Sequence, residues 1–600
     1  MKTNKILLLA GMLALFGACS KYLDPYPNGD YSSEEIWKYQ NMVQGLVGSC
    51  YDNMAWGYDN NEGVFMDVAT DDAVSTSPTR ETRRLAVGTL STGIDPFLYF
   101  WDRDYKSIRL VNLFLKDRRG FKTKYLIQAN LDSLVRYRLQ GEAYGLRAWF
   151  YWDLLQKFGG KGVSSGQMLG VPIILEPIII GQETNIARNT YEQCVNQIIA
   201  DCDSAIKYLP IAHRDFLVSN PDFLTYAGGR YWGRLDGITM KAIKSNVYLT
   251  WASPLFNSSN DNTRWEKAAQ YAKEVMDFKI NVDGARAGGF KKDNAVNWFN
   301  PNSSEIVFTA RYTGDNDAME RIFYPGGFQG NGEVGATQEL VNAFPMKNGY
   351  PITDAKSLYN SKDPYANRDP RFYSNIFYNM ANANRITSNE TMYTFENWSN
   401  GGKDASGAVP TNSLTNYHVK KYVFMDLNWS DNGINVQPHA KMFIRWTHMV
   451  LNFAEASNKV VGPTDAAKFG LSAKEAMSYL RTRKTYDGAA LYTTATDLYL
   501  NEVSSDATKF NDFVKNERRI ETCFEGMRFY DLRRWSTNLT ELNKPVHKAD
   551  IQKNTNGTFT YDLTKEVEVR AYKSAYLPIP YNEVLRMSNI EQNEGWSDWK

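Results

Sequence analysis

The sequence lacks the short motifs that mark many enzymes and metal sites. It contains no CxxC pair and no HExxH, and its five histidines have no spacing typical of metal ligands. A GxGxxG match at 330–335 follows a loop-like stretch, whereas a dinucleotide site requires a buried strand there. We therefore predict no metal and no cofactor. The acid and base carboxylates of a glycosidase come from separate segments, so the absence of a short motif does not exclude a glycosidase.

Charge of one sign and long apolar runs are also missing. The formal net charge is +1, and it becomes −1 if Lys2 and Lys5 are removed with a signal peptide. Without a basic block the chain is not expected to bind nucleic acid. Beyond the N-terminus, the apolar stretch 171–180 is too short to span a bilayer and is interrupted by two prolines and a glutamate.

The N-terminus has the layout of an export signal. Two lysines precede an apolar stretch from Ile6 to Ala18, and the residues from Leu15 to Cys19 resemble the bacterial lipobox. We predict a signal peptide over 1–18, a lipid on Cys19 and a proline-containing tether over 19–32. The alternatives for Cys19 are a core thiol, half of a disulfide or chance proximity to an ordinary cleavage site.

Four further cysteines invite disulfides in an exported chain. Cys194 and Cys202 lie on one face of a predicted helix, about 12 Å apart. A disulfide needs Cα atoms within roughly 7 Å. We therefore predict that these two are buried free thiols.

The part from 33 to 281 is predicted to consist of paired helices. Periodicity indicates helices over about 33–54, 105–116, 131–158, 191–209 and 238–256. Capping boxes are predicted at Thr190 and Thr263, each three residues before Gln or Glu. Small residues at the helix crossings suggest a tetratricopeptide-like stack, although no clean period of roughly 34 residues is present.

Helical periodicity fades over 282–440, where Gly, Asn, Asp and Ser become frequent and long loops are predicted. Helices return over 441–600, at about 442–460, 473–483 and 511–535. The last of these holds the densest charge cluster, and acidic and basic residues alternate in it at helical separations. We interpret it as a half-buried helix whose ion pairs stabilise the scaffold.

Several segments, in order along nearly the whole chain, resemble the SusD/RagB family of outer-membrane lipoproteins. The most specific is Glu517 to Trp535, which resembles that family's ER…E…EG.R..DLRRW helix. Further matches are "GEAYGLRAWFYWDLLQKFGG" with "GVPIIL", then "QELVNAFPMKNGYPI", "NRDPRF" and "YLPIPYNEV". Two segments depart from the family: "YLRTRK", and the stretch after Cys19, which has Lys21 and only Asp24 where many surface-exported relatives carry acidic residues.

The resemblance implies a mainly α fold, in which a tetratricopeptide-like helical scaffold supports a large, loop-rich, partly irregular ligand-binding region. It implies a non-catalytic, lipid-anchored protein of the outer membrane, facing the exterior, that binds glycans and delivers them to a SusC-like TonB-dependent transporter. Only the lipid would contact the membrane. The alternatives are a peptide-binding lid of the RagB type and, less favoured, a surface glycoside hydrolase.

Ligand contacts are expected from aromatic side chains in loops and from polar groups beside them, because sugars present an apolar face and a rim of hydroxyls. The candidates are Trp56, Tyr58, Asp71, Asp72, Arg80, Tyr312, Tyr324, Phe328, Trp398 and Trp429. Core packing is the alternative for each aromatic residue, and bonding to a helix terminus is the alternative for the two aspartates. Replacing Trp56 with alanine is expected to weaken glycan binding without changing the melting transition.

Overall fold

The fold is taken from a computed structural model of the 600-residue chain. It describes residues 35–54, 66–93, 95, 97–178, 184–286, 289–293, 295–300, 302–309, 322–328, 330–384, 392–424, 429–430, 433–434, 439–440, 442–485, 488–493, 496–536 and 538–599.

Helices dominate the described chain, and the fold is mainly α, as predicted. They are α1 Gln40–Asp52, α2 Glu81–Ala86, α3 Leu98–Leu115, α4 Arg119–Lys122, α5 Ala129–Phe158, α6 Tyr191–Tyr208, α7 Leu224–Ala227, α8 Gly237–Ala252, α9 Asn262–Phe278, α10 Gln338–Ala343, α11 Pro370–Asn375, α12 Trp446–Val461, α13 Ala473–Arg481, α14 Leu498–Val503, α15 Ala507–Glu521, α16 Met527–Trp535 and α17 Tyr581–Arg586. Short 3₁₀ turns lie at Ile36–Lys38, Met66–Ala69, Lys116–Arg118, Asp215–Leu217, Pro221–Phe223, Gly229–Tyr231, Gly326–Phe328 and Ala355–Ser357, and a π turn at Lys279–Asp283.

The long helices stack in chain order. Each of α1, α3, α5, α6, α8 and α9 packs against the next in that series, and α12 then packs on α9 and contacts α13 and α15. A helix that buries one face against each neighbour builds a continuous core, as in helical-repeat proteins. This stack is called the helical scaffold below.

The strands are short and form two-stranded antiparallel pairs. They are β1 Ala73–Ser75, β2 Gly160–Lys161, β3 Met168–Leu169, β4 Ile306–Thr309, β5 Val334–Ala336, β6 Ile376–Phe377, β7 Asn382–Asn384, β8 Met392–Thr394, β9 His418–Val419, β10 Trp429–Ser430, β11 Gly433–Ile434, β12 Met442–Arg445, β13 Val546–Lys553 and β14 Phe559–Glu568. The pairs are β1–β5, β2–β3, β4–β12, β6–β9, β7–β8, β10–β11 and β13–β14.

Two hydrophobic cores lie side by side. The larger belongs to the helical scaffold. The smaller is built mainly from residues between 298 and 442, with Val68 and Ala73 from the N-terminal part and Ile520 from α15. The loop-rich region therefore has a packed interior of its own, and its exposed side is called the irregular face below.

Several predicted helix features are confirmed and one is wrong. Helix α5 begins and ends within two residues of the prediction, and Thr190 forms the predicted capping box with Gln193. The capping box at Thr263 is wrong. Helix α9 begins at Asn262, two residues earlier than a cap at Thr263 would place its start, and the carboxylate of Asp261 accepts the hydrogen bond from the Thr263 N–H at 2.9 Å. Aspartate is a strong N-cap and precedes the threonine in the chain.

The predicted single helix over 511–535 is also wrong, because the chain bends between α15 and α16. Phe524 (φ 61°) and Gly526 (φ 75°) both adopt the left-handed conformation, which ends a right-handed helix. Glycine adopts it without strain from a Cβ atom. The bend carries Glu525 away from the axis of α15.

The described cysteines, Cys50, Cys194, Cys202 and Cys523, are all free and buried, which confirms the prediction for the pair in α6. Burial raises the pKa of each thiol, so all four stay protonated. No helix in the described ranges has the length and apolar character needed to span a membrane. The predicted boundaries at 18, 32, 281 and 440 stay predictions.

Candidate functional site

The two predicted aspartates lie between a 3₁₀ turn and β1, against the bend after α15. Arg528 donates from Nε and Nη2 to Asp71, both at 2.9 Å. Arg519 Nε donates to Asp72 at 2.6 Å. Burial acts to raise the pKa of Asp71, but the two guanidinium groups hold it well below its ordinary value. These contacts join the start of the chain to its C-terminal part, and a ligand role for the pair stays a prediction.

Arg80 and Glu333 form an ion pair on the β1–β5 edge of the irregular face. Arg80 donates from Nε at 2.7 Å and from Nη2 at 3.0 Å, so the contact is bidentate. Ser75 Oγ donates to the same carboxylate at 2.9 Å. The pair is partly exposed, with 17% and 12% of the two side chains accessible. The predicted polar residue Arg80 thus lies at the surface, where a bidentate pair orders the loop before β5.

The predicted aromatic residues that the structure describes are mostly buried. Tyr324 lies in the smaller core, and its hydroxyl donates to the Phe424 carbonyl at 3.0 Å. Trp398 is only 7% exposed, packs on Phe559 and has the ammonium of Lys553 4.2 Å from its ring centroid. For these two, the structure shows core packing and hairpin contacts.

The other predicted positions are only partly covered. Phe328 ends the 3₁₀ turn Gly326–Phe328, and Trp429 lies in β10. The remaining candidates lie outside the described residues: Cys19, Trp56, Tyr58 and Tyr312. Their ligand or lipid roles stay predictions.

A buried ion-pair cluster connects the irregular face to the helical scaffold. Its acids are Glu517 and Glu521 at the end of α15 and Glu525 in the bend, and its bases are Arg371, Lys421, Arg445, Arg481 and Arg483. It is called the charged joint below. The acids were predicted to pair within their own segment, but their partners come from other elements.

Each acid of the joint bridges two bases. Glu517 accepts from Arg371 at 2.8 Å and from Arg481 at 2.6 Å. Glu525 accepts from Lys421 and Arg445, both at 2.7 Å. Burial acts to raise the pKa of Glu525, but these two cations hold it well below its ordinary value. Glu525 therefore stays ionised at neutral pH, and the joint is buried enough that removing one partner would leave a buried charge without its counter-charge.

A pocket opens where the joint meets the irregular face. Its cavity volume is about 240 Å³. The aromatic side chains that line it are Trp298, Phe299 and Phe424, and the cationic ones are Arg371, Lys420, Lys421, Arg445, Arg483 and Lys484. It is called the Trp298 pocket below. The Phe299 and Phe424 rings meet edge to face with centroids 5.3 Å apart, which gives the pocket an apolar wall.

The sequence survey missed the residues of this pocket. Trp298 and Phe299 stand between Asn297 and Asn300 in a loop, so they meet the same criterion as the chosen aromatics. The cations come from separate segments, and each lies beside a helix or strand end. No spacing in the sequence indicates that they converge, because the fold alone brings 298, 371, 421 and 483 together.

The structure thus combines a stacked-helix body with an aromatic pocket at the edge of the irregular face. The chain belongs to the SusD family: the family model described as SusD matches residues 278–596. A second model, described as "Starch-binding associating with outer membrane", matches residues 21–222. These matches support a glycan-binding protein associated with the outer membrane, and they confirm the predicted family.

Individual relatives agree with the family. A SusD-like protein, P38, from Formosa agariphila is 20% identical over 547 residues, which cover 89% of this chain and 91% of the relative. The crystal structure of a SusD-like protein from Bacteroides fragilis superposes with a TM-score of 0.66 at 21% identity, over 94% of this chain and 98% of that one. A SusD-like carbohydrate-binding protein from the same species gives 0.64 at 16% identity, over 92% and 99%. At these identities the structures show the fold alone.

Proposed function

We propose that this protein is a lipid-anchored, cell-surface nutrient-binding protein that captures oligosaccharides or polysaccharides at its irregular face and delivers them to a SusC-like TonB-dependent transporter. The observation that carries the proposal is the Trp298 pocket. It combines an apolar aromatic wall with many hydrogen-bond donors, which are the two kinds of group that a sugar ring needs.

The surroundings of the two predicted aspartates, Asp71 and Asp72, agree with a protein that binds its ligand without catalysis. A glycosidase acid needs a raised pKa and access to the glycosidic oxygen, whereas Asp71 has a lowered pKa and both aspartates are held by arginines. Asp72 has a raised pKa, caused first by burial, but its side chain is fully buried. Neither aspartate is placed to protonate a leaving group.

An exposed apolar patch supports the transporter partnership. It lies around the start of α5, where Ile127 is 92% exposed and Tyr137 is 46% exposed. The described chain begins beside it, since Arg119 stacks on Trp37 at 5.1 Å. The chain between Cys19 and residue 35 reaches at most about 55 Å when extended. A lipid on Cys19 would thus hold this patch near the membrane, where an apolar surface on a membrane protein could cover it.

The proposal is tested with binding isotherms of the mature protein against a panel of oligosaccharides and a panel of peptides. We expect saturable binding to at least one oligosaccharide and no release of reducing ends during prolonged incubation. Binding confined to peptides would favour the RagB-type alternative. New reducing ends would favour the hydrolase and overturn the non-catalytic assignment.

A matched pair of variants tests the pocket itself. Phe299 and Phe469 are both partly buried and both meet another phenylalanine edge to face, but only Phe299 lines the pocket. We expect Phe299→Ala to weaken glycan binding about 5- to 10-fold through loss of an aromatic contact, and Phe469→Ala to leave affinity unchanged. Equal affinity of both variants would place the ligand elsewhere.

A further inference from the structure

The charged side chains that line the Trp298 pocket are mostly cationic. Within the described lining, every charged side chain except Glu521 is cationic. Glu521 pairs with Arg371 and Arg483, so the lining carries more cationic than anionic groups, and a neutral sugar would not use that excess of positive charge. The lining therefore points to an anionic feature of the ligand.

Apart from Glu521, the carboxylates that balance these cations lie behind them. Arg371 pairs with Asp369 at 2.7 Å and with Glu517 at 2.8 Å, and neither acid lines the pocket. Arg445 pairs with Glu305 at 3.0 Å, and this acid is also absent from the lining. The ion pairs are thus oriented with their positive ends toward the cavity. A concave wall of this kind concentrates positive potential even when the whole cluster is close to neutral.

At the rim of the pocket, Lys484 is a further cation that takes no part in the ion pairs of the charged joint. Lys484 is exposed and lines the pocket, and among the described residues its ammonium makes no ion pair. Its backbone N–H donates to the Asp293 carbonyl at 3.2 Å, which fixes the position of the segment. An ammonium in this place can meet an anion without first breaking a protein ion pair.

The aromatic side chains of the pocket offer an apolar surface beside the cations. Trp298 has the ammonium of Lys421 5.0 Å and the guanidinium carbon of Arg445 5.4 Å from its ring centroid, so cations already approach its ring. Phe299 and Phe424 form the apolar wall beside it. An apolar sugar face fits this phenylalanine pair, with a charged substituent directed toward Lys484.

We propose that the Trp298 pocket selects glycans that carry anionic groups, either uronic acid carboxylates or sulfate esters. This inference rests on the proposed glycan capture and adds the chemical class of the ligand. Guanidinium and ammonium groups recognise both anions by charge-assisted hydrogen bonds, so the shared chemistry is a negatively charged substituent on a pyranose ring.

Matched ligands test the proposal on the full-length mature protein. The probes are an oligogalacturonate and its carboxyl-reduced counterpart, and a sulfated galactan oligosaccharide and its desulfated counterpart, each titrated by calorimetry. We expect at least one charged probe to bind at least about 10-fold more tightly than its neutral counterpart, because a hydrogen bond to a charged group is lost on neutralisation. Which charged probe binds separates carboxylate from sulfate.

Two variants localise the effect. Lys484→Met should weaken the preferred charged probe about 2- to 5-fold, the range of an exposed charge pair. It should also reduce the loss of affinity caused by raising the salt from about 0.05 M to about 0.5 M. Lys565→Met is the control, because Lys565 is also an exposed lysine but lies in β14 outside the pocket. Unchanged melting transitions would show that both variants fold.

The outcomes separate this inference from the proposed function. Equal binding of charged and neutral probes, or binding of neutral glycans alone, would overturn the anionic preference and leave glycan capture standing. A charge preference that Lys484→Met and Lys565→Met change equally would overturn the assignment to this pocket. Absence of binding to any glycan in the panel would overturn both.

Discussion

The helical scaffold and the irregular face are stabilised by contacts of very different range along the chain. Helix α5 packs between α3 and α6, its neighbours in sequence. Strand β1 has three residues and pairs with β5, and the ion pair that fixes this edge joins Arg80 to Glu333, 253 residues away. The scaffold is therefore specified mainly by neighbouring segments of the chain, whereas the irregular face depends on distant segments that the charged joint holds together.

The most severe test of this comparison is to break the joint. Arg445 donates to Glu305 at 3.0 Å and to Glu525 at 2.7 Å, and it is fully buried. We expect Arg445→Met to lower the free energy of unfolding by about 3–5 kcal/mol, because each of two buried carboxylates, Glu305 and Glu525, loses one cationic partner. Urea unfolding measures the change, and hydrogen exchange should show the earliest loss of protection at β1–β5 and not at α5.

The control for this variant is an ion pair outside the joint. Lys356 and Glu502 are 2.8 Å apart and about half exposed. Lys356→Met should leave the free energy of unfolding close to that of the natural protein, because water and salt screen an exposed ion pair. If the two variants lost equal stability, or if α5 lost protection as early as the strands, the distinction between the regions would be wrong.

A smaller effect is expected from two glycines, one in each region. Gly526 has a φ of 75°, so Gly526→Ala should destabilise the protein by about 1–2 kcal/mol. Gly48 lies inside α1 with open space where a Cβ would stand, so Gly48→Ala should stabilise by about 0.5–1 kcal/mol. Melting temperatures measured side by side check the opposite signs. If Gly526→Ala stabilised the protein, the left-handed conformation of Gly526 in the bend would be wrong.

A pH dependence is expected at the contact between the regions. Asp67 is buried and accepts a hydrogen bond from the Gly526 N–H at 2.7 Å. Burial, and then the negative charge of Asp72, raise the pKa of Asp67 to about 8. The folded state therefore holds this proton more tightly than the unfolded state. Its stabilising contribution is complete below pH about 4 and is lost as the pH rises toward about 8.

The variant Asp67→Asn isolates this group, since an amide cannot ionise. We expect the melting temperature of the natural protein, relative to the variant, to fall between pH about 5 and pH about 8.5. Parallel melting curves across that interval would show that Asp67 titrates in the same range in both states.

The scaffold could be predicted from sequence because its signals are local. The apolar period of α5 and the Thr190–Gln193 capping box each lie within one helix, and both are confirmed. The error at Thr263 arose from a second competent cap two residues earlier, at Asp261. Local patterns therefore fix which helices form, and their ends depend on which neighbouring group caps them.

For the irregular face, the sequence predicted its extent along the chain but not its individual contacts. The bend at Phe524 and Gly526 is invisible to periodicity, because the charged residues on both sides continue the helical spacing. The survey found loop aromatics but could not tell buried Tyr324 from the partly exposed Phe299. That difference is set by contacts with residues about a hundred positions away, such as the Tyr324 hydroxyl with the Phe424 carbonyl.

The hydrogen bond from Gly526 to Asp67 spans 459 residues and has a consequence for biogenesis. A polypeptide delivered N-terminus first presents the segment from Met66 to Asp72 long before its partners in α15 and α16 arrive. The segment stays exposed, with Val68 and Ala69 uncovered, until most of the chain has been delivered. Its apolar residues are therefore buried only late, when the C-terminal part of the chain arrives.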